Sequence, residues 1–326
     1  MSILSLWEMM SHEPYFGLVK RLYKRTSSAR VYAIYDHTTK MCGIALSYSG
    51  SINIDVTPFN GLSELSVKIY NDQSNKLLAI QLISNSNKDI FAALCDNLIY
   101  AIEECNSEKD AVRLVLNRLE KWKTLLKKGA SEELSKKEQL GLYGELTYLD
   151  ELLNRNCLHP LEMIKFWVGS DKALRDFQGD EWAVEVKTTS TNNPYQITIN
   201  GERQLDDSFF QKLYLYHLSV EVSERMGETL NAKVESIRDR LQRDVIALNV
   251  FNDKLMEVGY FDFHKDLYES RCYKIRQVKI YHVHDAFPRI RENELREGVS
   301  NVVYSINVSN CEIYLVREDN HFENIK

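Results

Sequence analysis

One segment, ALRDFQGDEWAVEVKTT at residues 173–189, constrains the fold of this chain more than any other. Gly179-Asp180 places turn-forming residues between two runs that read as strands, so the segment reads as a β-hairpin. With a two-residue loop, Gln178 pairs with Glu181 and Asp176 pairs with Ala183. Side chains alternate along a strand, so Ala183, Glu185 and Lys187 share one face and Asp176 joins them. Trp182, Val184 and Val186 take the other face, which is apolar and suited to a core. Two acids and a base on a strand whose back is buried are costly unless a cation or a substrate compensates them.

The spacing suits one kind of chemistry. Diagonal neighbours across a strand pair lie about 7–8 Å apart, within reach of a common cation. Asp176 and Glu185, helped by the main-chain carbonyl of Val186, form an oxygen-rich site suited to Mg²⁺, with Mn²⁺ as the other candidate ion. Lys187, two residues beyond Glu185 on the same face, is placed to orient or deprotonate a water and to stabilise charge on a phosphate. The simpler reading is a cross-strand ion pair on an exposed face.

Along the rest of the chain the pattern is mixed. RVYAIYD, CGIALSYSG, LSVKIYND and KLLAIQLIS read as strands between residues 31 and 85. Ile90, Leu94, Leu98 and Ile102 predict a helix over 88–105, and a second helix over 108–128 stops at Gly129. GASEEL, which begins at Gly129, marks a domain boundary. Ser135 and Glu138 form a capping box for a helix reaching Leu153. Short strands follow at KFWVGS, ALRDFQ, EWAVEVKTT and YQITIN, then a buried strand at LYLYHLSVEV. A long helix is expected over 229–248, a helical stretch near 252–258, and strands at YKIRQVKIYHV and VVYSINV. The domains expected are an N-terminal α+β domain at 1–130, a catalytic core at 131–225, and a helix-plus-β region at 226–326 packed on that core.

Composition enters where it limits function. The 326 residues suggest about two domains. The formal charge of −6 argues against a histone-like coating of nucleic acid. No apolar run is long enough to span a membrane, and the start lacks the basic region of a signal peptide. The six dispersed cysteines read as reduced thiols of a cytoplasmic protein. His282 and His284 share a strand face near Asp285 but have no evident third ligand, so they read as an ordinary strand. Tyr214, Tyr216 and His217 read as sheet packing. Lys121, Lys123, Lys127, Lys128, Lys136 and Lys137 read as a solubilising helix face or a phosphate-contacting rim. No GxxxxGK[ST] motif is present, so any nucleotide-driven step belongs to a partner.

Asp176 with Glu185-Val186-Lys187 resembles the motif of the PD-(D/E)XK nuclease superfamily, with Arg175 where the motif has proline. More closely, GLYGELTYL, FWVGS, RDF, VEVKTT, ERQL and the AFPRI segment at Ala286 to Ile290 resemble the "PD-(D/E)XK motif protein" family of bacterial restriction-like and phage-defence loci. The resemblance covers residues 135–220 closely and the C-terminal third loosely. It implies an α/β class within an α+β whole: an αβββαβ restriction-endonuclease-like core with a mixed central sheet and the site at the first hairpin. The helix before the last core strand would be short, near 200–210. It also implies Mg²⁺-dependent cleavage of DNA, with Asp176, Glu185, Glu145 and the Val186 carbonyl at the metal and Asp176, Glu185, Lys187, Glu145 and Gln204 as the catalytic set. Expected partners are DNA and proteins of the same locus, of ATPase or methyltransferase type, with no membrane and a homo-oligomer as an option. A non-catalytic DNA-binding scaffold that keeps the fold is the alternative, and a phosphodiesterase acting on RNA or nucleotides is a weaker third.

Overall fold

The structure, a computed structural model, describes residues 2–325 except 27, 63, 84–87, 104, 128–132, 156, 172–173, 191–194 and 209, and leaves aside the side chains of 89–90, 93, 121–127, 171 and 263. Gly129, most of GASEEL and the side chains of four of the six lysines named above therefore lie outside the described residues. The chain forms two compact units, Met1–Glu132 and Glu133–Lys326.

The first unit opens with helix α1 (Ile3–Ser11), N-capped by the Ser2 hydroxyl. Ile3, Leu6, Trp7 and Met10 recur at helical spacing and are buried. Strands β1 (Leu18–Arg25), β2 (Arg30–Asp36), β3 (Met41–Ser49), β4 (Leu65–Asp72) and β5 (Asn75–Leu82) form an antiparallel sheet in the order β1-β2-β3-β5-β4. Helices α2 (Lys88–Glu103) and α3 (Glu108–Lys127) follow, close to the bounds read from their apolar periodicity. Helix α1 and strand β1 precede the first strand expected from the sequence.

The second unit begins with α4 (Lys136–Arg155), whose Ser135 and Glu138 make the expected reciprocal cap. Then come α5 (Pro160–Lys165), β6 (Phe177–Gln178), β7 (Trp182–Thr189), β8 (Gln196–Ile199), β9 (Lys212–Ser223), β10 (Glu228–Thr229), α6 (Leu230–Leu241), α7 (Val245–Glu257), α8 (Lys265–Tyr268), β11 (Cys272–His282), β12 (Tyr304–Asn307), β13 (Leu315–Val316) and α9 (Glu318–Asn324). The main sheet runs β10-β11-β9-β7-β6, with β13 on β11. β7 and β9 are parallel and the other pairs antiparallel, so the sheet is mixed, within an α+β whole.

Alternation along β7 and β9 divides the core. Val184, Val186, Tyr216 and Leu218 pack with Leu142, Leu146 and Leu149 of α4, Val234 and Ile237 of α6, and Phe251 of α7. Ala183, Leu213 and Leu215 face the other way, onto Ile197, Ile199, Ile306 and Phe287. Tyr214, Tyr216 and His217 are buried sheet residues.

Several expectations need correction. KFWVGS is not a strand: Lys165 closes α5, Trp167 makes a single bridge to Phe177, and Gly169–Asp171 is a 3-10 turn. YQITIN forms β8 but leaves the main sheet and pairs with β12. Residues 202–205 make turns, and no helix stands at 200–210 among the described residues. The helix expected over 229–248 breaks into two, because Asp244 accepts the amide of Ala247 and caps a new helix that absorbs the stretch near 252–258.

Candidate active site

The hairpin register sets the site. Phe177 pairs with Val184 and Gln178 with Ala183, and the Gly179 amide donates to the Trp182 carbonyl. The two-residue loop is therefore Asp180-Glu181, one step later than the sequence suggested, and the register moves by two. A shift of two keeps every side chain on its face, so Asp176 still stands on the side of Glu185 and Lys187. The glycine serves a close contact: a Cβ on Gly179 would lie 2.4 Å from Nε1 of Trp182.

Asp176 Oδ2 accepts the Val186 amide at 2.7 Å, which ties the carboxylate across the hairpin. In a strand, the N–H and C=O of one residue leave on the same side, so the Val186 carbonyl faces the same edge. Glu185 is almost fully enclosed, at 1% exposure, and its Oε1 takes a 2.6 Å ion pair from Lys187 Nζ. Its Oε2 is buried with no hydrogen-bond partner. Lys187 Nζ also donates to Gln204 Oε1 at 3.2 Å, and that oxygen is fixed by the Asn200 amide at 2.8 Å. Gln204 thus reaches the site from a turn rather than a helix.

Glu145 arrives from α4. Its Oε2 accepts the indole N–H of Trp167 at 2.7 Å. The neighbouring Gly169 has no side chain, and a Cβ there would lie 3.1 Å from Glu145 Oε2 and 3.2 Å from Asp176 Oδ1, so the two oxygens flank one small space. Gly144 lets α4 approach β7: a Cβ on it would fall 1.8 Å from Thr188 Oγ1. Gly141 meets nothing comparable.

Electrostatics follow from this crowding. Burial raises the Asp176 carboxyl well above its ordinary value, and the charges of Glu185 and Glu145 add to it, against Lys187 and the Val186 amide. Burial likewise carries Glu145 up to about 7, assisted by Glu185 and opposed by the Trp167 hydrogen bond and Lys187. Burial works to lower Lys187, but Glu185, Asp176 and Glu145 outweigh it and hold the ammonium above its usual range. Arg175, 3% exposed, backs the carboxylates and donates to the Asp206 carbonyl at 2.8 Å.

This donor set fits a divalent cation. Glu145 and Asp176 flank a space that only glycine leaves free, and Glu185, whose charge acts on both, has an orphaned buried oxygen. Among the described residues no three His, Cys, Asp or Glu side chains already stand in ligand arrangement. Lys187 and the Val186 amide engage one oxygen each of Glu185 and Asp176 instead. His284 pairs with Asp285 at 2.8 Å and joins no such group. Trp167 and Gly169 were missed as site residues, although both fall in FWVGS; their roles depend on a contact with a helix about twenty residues earlier, which no local pattern announces.

No helix among the described residues is long and apolar enough to cross a membrane. A family model described as "Putative PD-(D/E)XK family member, (DUF4420)" matches residues 3–309. No curated protein and no solved structure matches the chain.

Proposed function

The chain belongs to this PD-(D/E)XK family, and on that premise we propose that it is a Mg²⁺-dependent DNA endonuclease, the nuclease subunit of a bacterial restriction-like or phage-defence system. One observation carries the reading: Glu145 from α4 and Asp176 from the start of the hairpin converge on Glu185 and Lys187 of β7, while a buried Glu185 oxygen has no partner. A solvated strand face would not gather them so.

Asp176, Glu185 and the Val186 carbonyl would hold the ion, with Glu145 as the further carboxylate. All are hard oxygen donors, which favours Mg²⁺ or Mn²⁺ over zinc. When bound, the ion would supply Lewis-acid stabilisation of charge on the phosphate and make a nearby water more acidic. Lys187, kept charged by its neighbours and fixed by Glu185 and Gln204, orients the attacking water and donates to a phosphate oxygen as negative charge builds there. Gln204 acts on Lys187 and so positions it. Trp167 fixes the rotamer of Glu145.

The acidity of the chain supports weak, salt-sensitive DNA binding when it is alone. We therefore assign it a protein partner from the same locus, of ATPase or methyltransferase type, in the cytoplasm. The test is plasmid cleavage with Mg²⁺ by the full chain, with and without such partners. Wild-type protein should cut, and Asp176→Ala and Lys187→Ala should each lose on the order of a thousandfold or more. Plasmid bound but left intact under every condition would replace this reading with the non-catalytic scaffold. Cleavage of RNA alone would replace it with an RNA phosphodiesterase.

A further inference from the structure

The first unit has a polar cavity of about 380 Å³ that the nuclease reading does not use. Strand register shows how it is built. Arg25 of β1 stands opposite Arg30 of β2, and Arg30 stands opposite Ser47 of β3. Directly opposed residues share a face, so two guanidinium groups and one hydroxyl form a row across three strands. Thr26, Ser28, Ala29, Asn75, Asn106, Ser107 and Glu108 complete the lining.

This row lacks partners. Among the described residues neither the Arg25 nor the Arg30 side chain has an ion pair or hydrogen bond. Like charges directly opposed on a sheet are destabilising, and although Glu108 also lines the cavity, no ion pair among the described residues joins it to either arginine. Ser47 is 8% exposed, its hydroxyl takes part in no hydrogen bond, and it lines the cavity. Ser107 and Glu108, at the start of the twenty-residue helix α3, line the same space, and the Asp110 amide of that turn is capped by the Ser107 hydroxyl at 3.1 Å. The acids of that turn are engaged: Glu108 accepts the Ser49 amide at 2.9 Å, and Asp110 accepts the Ser107 hydroxyl at 2.6 Å.

We infer that this cavity is a binding site for a phosphate group, borne by a free nucleotide or by the end of a nucleic-acid strand. Guanidinium forks match phosphate oxygens two at a time. A tetrahedral dianion can use both arginines and the Ser47 hydroxyl together, whereas a carboxylate has only two oxygens to offer. The site lies in the first unit and stands whether or not the second unit cuts DNA.

The experiment is calorimetric titration of the full chain, with chelator present and ionic strength held constant with chloride. The probes are inorganic phosphate, AMP, and a short oligonucleotide with and without a 5′-phosphate. At least one phosphate-bearing probe should bind saturably to wild type and about tenfold or more weakly to Arg25→Ala/Arg30→Ala. Ser47→Ala, which leaves the surface charge intact, should weaken it too. AMP binding assigns the phosphate to a free nucleotide; binding of the phosphorylated oligonucleotide alone assigns it to a strand end. The ligand-free double variant should melt no lower than wild type, because repulsion has been removed. Absence of saturable binding by every probe would overturn the inference. So would equal binding by wild type and the double variant, or a lower melting temperature of that variant, which would show that the arginines serve the fold.

Discussion

Every strand pair in the first unit is antiparallel and most are joined by tight turns, whereas in the second unit β7 and β9 run parallel and the chain crosses over between Thr189 and Lys212. A tight hairpin returns at once. A parallel pair needs a crossover of about a dozen residues or more, and this one carries Gln204 back to Lys187. The charged groups of the two candidate sites differ as well. Arg25 and Arg30 stand exposed near the sheet edge, while Glu185 and Lys187 sit inside, beside groups delivered by a helix, a turn and a hairpin. In the second unit the buried charges of the site sit where topology brings distant segments together, whereas Arg118, a buried charge of the first unit, is held by Asn97 of the preceding helix.

The sharpest way to test that contrast is pH. Burial lifts Glu145 to about 7 in the folded chain, against about 4.3 when unfolded. Folded protein then holds a proton that unfolded protein has released. The contribution is fully present below the unfolded value and is lost as pH rises through about 7. Without metal, Glu145→Gln should therefore gain on wild type by roughly 3 kcal/mol between about pH 5 and pH 8, read by denaturant unfolding. The difference between the two proteins is the quantity to use, because neutral buried His217 shifts the wild-type curve the opposite way. Hydrogen exchange should place the gain in the second unit; an equal gain in the first would break the comparison.

Trp167→Phe comes next. It removes the donor on Glu145 while keeping an aromatic ring, and divalent-ion affinity should fall by about 10- to 100-fold in a metal titration. Unchanged affinity would place Glu145 outside the centre. Helix α4 offers two smaller effects of opposite sign. Gly144→Ala drives a methyl into Thr188 and should destabilise by about 1–3 kcal/mol. Gly141→Ala meets open space and should stabilise by about 0.5–1 kcal/mol. Thermal melts that ranked these two the other way would remove close helix–strand approach from the account.

Much of this was legible in the sequence for a physical reason. Period-two alternation fixes faces, so the common face of Asp176, Glu185 and Lys187 survived an error of two in register. Apolar periodicity gave α2 and α3, a capping box gave α4, and aromatic and β-branched runs gave the strands from β2 to β5. What escaped was set by long-range contact. Gly179 looked like a turn former but makes room for an indole. FWVGS looked like a strand because it is aromatic and apolar, yet its Trp167 serves Glu145 and its Gly169 clears space between two carboxylates. The break before α7 turned on one side-chain cap at Asp244, and β8 left the main sheet because β12, about a hundred residues later, pairs with it.

The central claim is that the carboxylates beside Lys187 hold a divalent ion. Calorimetric titration of Mn²⁺ into the full chain tests it most directly. The account predicts one saturable site in wild type and in Arg25→Ala/Arg30→Ala, and none in Asp176→Asn/Glu185→Gln, a variant that keeps side-chain shape. Saturable binding of equal strength in that carboxamide variant, or no binding in wild type, would contradict it.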